Sequence, residues 1–119
     1  MPPTSELGAR GEQIAVAYLT DSGLRVLDRN WRCREGELDV VAREGDALVF
    51  CEVKTRRGIG YGHPVEAVTA AKAGRIRVLA QRWLAAHDEH ARDVRFDVVG
   101  VLVRPERPAL VTHLRGAFS

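Results

Sequence analysis

Two short segments carry the side chains best suited to chemistry, Leu38-Asp39-Val40-Val41 and Phe50-Cys51-Glu52-Val53-Lys54. Both are rich in β-branched and apolar residues and read as strands, and Glu44-Gly45-Asp46 between them reads as a hairpin turn. If Gly45 and Asp46 form the loop, Glu44 pairs with Ala47. Stepping outward from that pair sets Asp39 opposite Glu52 and Glu37 opposite Lys54. Residues two apart on a strand share a face, so this register predicts Glu37, Asp39, Glu52 and Lys54 in one polar patch at one end of the hairpin. Opposed residues have Cβ atoms ~5 Å apart, and like charges so placed destabilise a sheet. Apolar surroundings add the cost of an ionised carboxylate without a partner. A divalent cation relieves both costs, and hard cations such as magnesium prefer carboxylate and water oxygens. Such an ion polarises a phosphoryl oxygen and supplies a hydroxide nucleophile near neutral pH. Lys54, one pleat beyond Glu52, is placed to orient that water or to neutralise developing charge. The competing reading is a set of surface ion pairs, Glu37 with Lys54 among them, each worth under ~1 kcal/mol. The apolar sequence flanking both acids weighs against it.

The elements that must position these residues follow from periodicity. Glu6 to Ser22 reads as a helix with Leu7, Ile14, Ala15, Tyr18 and Leu19 on one stripe and Gly23 as its stop. Gly11 inside it costs ~1 kcal/mol against Ala, and suggests that another backbone approaches closely. Leu24 to Cys33 reads as a first strand, Arg34-Glu35-Gly36 as a turn, Glu37 to Arg43 as a second strand and Ala47 to Lys54 as a third. The second and third are apolar on both faces, which predicts central positions. Thr55 to Pro64 reads as a glycine-rich loop leaving the presumed site, a candidate flap. Val65 to Ala86 reads as a long helix with Val68, Ile76, Leu79 and Trp83 buried. Val94 to Val103 is a fourth strand, and Ala109 to Leu114, after Pro105 and Pro108, a short fifth strand at an edge. The expected fold is α/β, a mixed central sheet in the order αβββαββ with helices packed on it. The first three strands form a meander, and the long helix crosses over to the fourth.

A chain of 119 residues is the size of one domain, with residues 1–5 expected to be frayed. At 45% hydrophobic and 29% charged it reads as globular rather than disordered. No apolar run approaches the ~18 residues of a membrane span, and the N-terminal residues do not resemble a signal peptide. A cytoplasmic protein with no membrane partner is therefore expected. Cys33 and Cys51 are too few for a disulfide framework or a zinc cluster and read as free thiols. Of 18 basic residues only Lys54 and Lys72 are lysines, and Arg, with its planar fork, suits phosphate. Arg29, Arg32, Arg34, Arg56 and Arg57 are candidates for a nucleic-acid track, with Trp31 and Tyr61 as stacking platforms, against an alternative of solvated arginines and core aromatics. Lys72 lies on the buried stripe of the long helix, either snorkelling or reaching the site or a phosphate. Asp97 interrupts an apolar strand, where a hydrogen-bonded structural role is favoured over metal binding. His87 and His90 read as a solvated helix end.

The motifs occur in a recognisable order: Gly11-Glu12, Arg29-Asn30-Trp31-Arg32, Gly36-Glu37-Leu38-Asp39-Val40-Val41-Ala42, Phe50-Cys51-Glu52-Val53-Lys54-Thr55-Arg56, Gly62, Glu66-Ala67-Val68, Lys72, Arg75-Ile76 and Arg95-Phe96-Asp97-Val98-Val99. This pattern, from about residue 8 to Phe118, resembles the YraN-type bacterial family of predicted nucleases. That family is similar to the PD-(D/E)xK, or restriction-endonuclease-like, superfamily, near the archaeal Holliday-junction resolvases. The resemblance implies that Asp39 is the central metal ligand and Glu52 the second, with the Val53 backbone carbonyl a third. It implies that Lys54 is the catalytic lysine and that Glu12 is the helical glutamate completing the site. The proline that the superfamily places before the aspartate is replaced by Leu38. The implied activity is Mg2+- or Mn2+-dependent hydrolysis of phosphodiesters in DNA, including branched or structured DNA, with DNA favoured over RNA. A homodimer is the form expected on junctions. The alternatives are a nucleic-acid-binding module of the same fold with weak or no catalysis, and a domain acting through a protein partner.

Overall fold

The protein is described by a computed structural model covering residues 6–58 and 68–118. Residues 1–5, and the part of the expected flap and helix start at 59–67 that includes Tyr61 and Gly62, lie outside the described residues. The elements run α1 (Glu6–Asp21), β1 (Arg25–Cys33), β2 (Gly36–Glu44), β3 (Ala47–Arg57), α2 (Ala70–Ala86), β4 (Asp93–Val103) and β5 (Leu110–Phe118). They form the expected αβββαββ order around one five-stranded sheet in the order β1-β2-β3-β4-β5. β1, β2 and β3 make an antiparallel meander, β3 and β4 are parallel, and β5 returns antiparallel on β4. The parallel pair requires a crossover, which α2 provides.

Each helix covers one side of the sheet. Ala15 and Leu19 of α1 join Val40, Ala42, Val49, Cys51, Val99 and Val101 in one core cluster. Ile76, Leu79, Ala80 and Trp83 of α2 join Leu38, Val41, Leu48, Phe50 and Phe96 in the other. β2 and β3 thus feed both cores, which is why their sequences show apolar runs rather than simple alternation. α1 ends where expected. Gly23 takes φ +98°, and the Leu24 N–H reaches the Leu19 carbonyl at 3.0 Å, closing the last turn.

Three boundaries and one packing expectation differ from the sequence reading. α2 begins at Ala70, because the Thr69 hydroxyl caps it by accepting the Lys72 N–H at 3.2 Å, so Val68 precedes the helix. β3 continues through Thr55, Arg56 and Arg57, which pair with Val101, Leu102 and Val103 of β4, so the expected flap cannot start at Thr55. β5 runs to Phe118, held by the Gly116 N–H donating to Asp97 at 2.9 Å. Gly11 admits a side chain rather than a backbone. A Cβ there would lie 1.8 Å from Thr55 Oγ1. Among the described residues no helix is long and apolar enough to cross a membrane.

Candidate metal and nucleic-acid site

The hairpin of β2 and β3 follows the expected register from Glu44–Ala47 to Val40–Cys51 and stops there. One residue further, Asp39 Oδ2 accepts the Val53 N–H at 2.8 Å, so a side chain takes the place of the next ladder bond. On the other edge of β2, Arg29 pairs with Val40 and Trp31 with Leu38, leaving Asn30, at φ +52°, opposite Asp39. Asparagine is among the few side chains that tolerate this backbone region. Across the same stretch the alternation of β2 slips. Val40 and Ala42 belong to the α1 core and Val41 to the α2 core, yet Leu38 also belongs to the α2 core. Strict alternation therefore does not hold at Asp39, yet Glu37, Asp39 and Glu52 still line one pocket, which does not include Lys54.

Carboxylate oxygens of Glu12, Glu37 and Asp39 all lie within 4.8 Å of one another, a group to which Glu52, expected as the second ligand, does not belong. Glu12 reaches this cluster because α1 packs closely on β3, with Gly11 against Thr55. Next to it a pocket is lined by Glu37, Leu38, Asp39, Cys51, Glu52, Lys72, Arg75, Ile76 and Leu79. Asp39 and Glu37 belong to both. Glu52 extends toward α2, where its Oε1 is ion-paired with Lys72 Nζ. Its Oε2 is buried with no hydrogen-bond partner among the described residues. Lys72 thus reaches the site instead of snorkelling away from it.

The electrostatics are unfavourable to the bare site. Burial pushes the Asp39 carboxyl up to about 7, partly offset by the Val53 N–H, and the neighbouring charges of Glu12, Glu52 and Glu37 push it further in the same direction. These donors are all oxygens, the kind that hard divalent cations prefer. Glu12, Glu37, Asp39 and Glu52 are the residues that could hold one. Val53 contributes its N–H to Asp39. Lys54 is half-buried on β3 and makes no ion pair with a described residue. Glu37, named in the sequence only as part of a patch, is the cluster member that sequence reasoning did not assign to a metal. Its signal was its position two residues before Asp39. It also pairs with Arg32 at 2.7 Å, in place of the Glu37–Lys54 pair considered above.

β1 and β3 both run antiparallel to β2, so their C-terminal ends lie at the same end of the sheet. Arg32 on β1, Arg34 in the following turn, and Arg56 and Arg57 on β3 gather there, all exposed, and Arg29 is exposed earlier on β1. That is also the end that carries Glu37 and Asp39. Trp31 packs against the α2 core and is edge-on to His87 at 6.0 Å, which makes it a packing residue. His87 is not solvated as expected. It stacks on Trp83 at 4.2 Å and lies 3.4 Å from Asp28, whereas His90 is exposed.

Asp97 has the structural role expected of it. Its side chain is fully buried and bonded to Arg95 at 2.9 and 3.0 Å, His113 at 2.7 Å and the Gly116 N–H at 2.9 Å. Burial alone would raise its carboxyl, but the Arg95, Gly116 and His113 hydrogen bonds outweigh that and hold it below the ordinary value. Arg95 and Arg115 both reach Glu44 and lower that carboxyl too. Cys51 and Cys33 are free, and burial pushes the Cys51 thiol up, which makes it inert.

Comparison with known proteins agrees with the extent of this architecture. Residues 11–101 match the family described as uncharacterised protein family UPF0102. A UPF0102 protein of Beutenbergia cavernae is 58% identical over 110 residues, covering 92% of this chain and 93% of the relative. One of Rhodococcus opacus is 54% identical over 112 residues, covering 94% and 95%. A third, from Frankia alni, is 58% identical over 112 residues, covering 94% and 93%.

Proposed function

The chain belongs to the UPF0102 family, and we propose that it is a metal-dependent endonuclease of restriction-endonuclease-like fold that hydrolyses phosphodiesters in DNA, branched or structured DNA included. The observation that carries the reading is the convergence of Glu12, Glu37 and Asp39 within 4.8 Å, beside Glu52 with its buried, unpartnered oxygen. Four acids brought together from α1, β2 and β3, with one carboxyl driven up to about 7, are costly to a protein that uses them for nothing. Mg2+ or Mn2+ fits the all-oxygen donor set. Asp39 and Glu52 would hold it, with Glu12, Glu37 and the Val53 carbonyl as further donors. When bound, the ion supplies Lewis-acid polarisation of a phosphoryl oxygen and activation of water.

The protein's own groups do the rest. Asp39 is oriented by the Val53 N–H, which fixes one oxygen and leaves the other for the cluster. Lys54 is the proposed catalytic lysine, orienting the attacking water and stabilising negative charge that develops on phosphate. Arg29, Arg32, Arg34, Arg56, Arg57 and Lys72 are the proposed phosphate contacts, which position the nucleic acid without reading its sequence. A cytoplasmic location, and a homodimer on junction substrates, are part of the same proposal.

One observation favours a second reading, a nucleic-acid-binding module with weak or no catalysis. Lys72 already neutralises one oxygen of Glu52. A cleavage panel of linear, flap and junction DNA with Mg2+ or Mn2+ separates the two, with Asp39→Ala as control. The nuclease reading expects cleavage that Asp39→Ala abolishes while the variant stays folded. Salt-dependent binding without cutting of any substrate would leave only the binding module.

A further inference from the structure

Building on the metal-site reading above, we propose that Lys72 is a cation-gated phosphate contact, held by Glu52 while the carboxylate site lacks a divalent ion and released to a nucleic-acid phosphate once that site is filled. The ion pair with Glu52 holds Lys72 against its local field. Lys72 stands in the first turn of α2, which contains no acidic residue, and its own N–H is taken by the Thr69 cap. The positive end of a helix dipole repels an ammonium there and attracts an anion. Glu52 is therefore what keeps Lys72 folded into the pocket.

That hold is incomplete. Lys72 meets Oε1 alone, and Oε2 stays buried and unpartnered. A divalent ion shared by Asp39 and Glu52 is a better partner for Glu52 than one ammonium, because it carries twice the charge and can engage the orphaned oxygen. With that exchange Glu52 is taken from Lys72, and the negative charge facing the ammonium falls by two. Lys72 then moves away on its flexible four-carbon stem. Its side chain is already 31% exposed. Arg75 lies three residues on, on the same helical side, is exposed, and lines the same pocket. The freed ammonium, Arg75 and the N-terminal end of α2 then present positive charge together, which suits a backbone phosphate. Nucleic acid is thereby bound most tightly when the site is loaded.

The test measures binding of a short labelled duplex by wild type and Lys72→Gln, in EDTA and in Ca2+, with calorimetric titration of Mn2+ into each protein alone. The expected result is that the two proteins bind DNA equally in EDTA. In Ca2+ the variant should be weaker by about tenfold, the scale of one charge-assisted contact. The salt dependence of wild type alone should steepen by about 0.9 in log–log slope on adding Ca2+, one phosphate contact. Lys72→Arg should keep the calcium response, which controls for folding. An equal loss in EDTA and Ca2+ would show an ungated contact, and no loss in either would show no contact. Both overturn the proposal, as does failure of wild type to bind the duplex. If Mn2+ titrates into wild type yet Lys72→Gln responds to Ca2+ as wild type does, the gate alone fails. If Mn2+ does not bind wild type, the metal-site reading fails first.

Discussion

Asp39→Asn should make the metal-free protein more stable while destroying its site. In the folded protein the Asp39 carboxyl is raised from 3.8 to about 7, first by burial and then by Glu12, Glu52 and Glu37. Between those two values the folded state holds a proton that the unfolded chain has lost, so stability falls as pH rises through the window. Below pH 3.8 both states are protonated and nothing is lost; above pH 7 the full cost is present. A displacement from 3.8 to about 7 corresponds to about 4 kcal/mol as a ceiling. Partial exposure of Asp39 lowers the expected gain to about 2–3 kcal/mol. Asparagine removes the charge and keeps an oxygen to accept the Val53 N–H, so the cost disappears without a broken hydrogen bond. The assay is urea unfolding in EDTA at pH 4 and pH 8. With a slope of about 1.5 kcal/mol/M, the Asp39→Asn midpoint should exceed wild type by about 1.3–2 M at pH 8 and by little at pH 4. Adding Mn2+ at pH 8 should stabilise wild type and not the variant, because the ion takes the place of the proton. A variant no more stable than wild type at pH 8, or equally stabilised at both pH values, would refute the reasoning.

Other substitutions test separate parts of the molecule. Lys54→Ala should lower the cleavage rate by about 10²–10³-fold while leaving Mn2+ affinity, read by calorimetry, near wild type. Asp97→Ala strands His113, leaves Arg95 with Glu44 alone, and should cost about 3 kcal/mol in urea unfolding at pH 7. Because Asp97 is held below its ordinary value, its contribution is present above pH 3.8 and lost as pH falls through the lower folded value, so the gap between wild type and Asp97→Ala should narrow on acidification. Gly11→Ala places a methyl 1.8 Å from Thr55 Oγ1 and should destabilise by at least the ~1–3 kcal/mol of ordinary overpacking. Adding Thr55→Ala should recover only part of that, since Thr55 Cβ itself lies 2.6 Å from the same point.

The register of the central hairpin was readable in the sequence because a two-residue turn at Gly45-Asp46 leaves only one pairing outward. The crossover was readable for a similar reason, since a long amphipathic segment between two apolar strands returns the chain to the sheet, but that β4 joins β3 came from the tertiary structure. The helix start at Ala70 was missed because hydrophobic period does not register a threonine cap, and the length of β5 was missed because it depends on Asp97 reaching Gly116 across strands.

The sequence by itself determined which strands lie in the centre, where α1 stops, and the register of the hairpin as far as Val40–Cys51, because turn chemistry and apolar runs act locally. Only the tertiary structure decided what surrounds Asp39 and Glu52. The Glu12 carboxylate arrives from α1 through the gap left by Gly11, the Lys72 ammonium arrives from α2 onto Glu52, and Glu37 turns toward Asp39 where the alternation of β2 slips. Each of these contacts joins residues separated by a packing choice or a backbone irregularity that neither strand period nor helix period encodes.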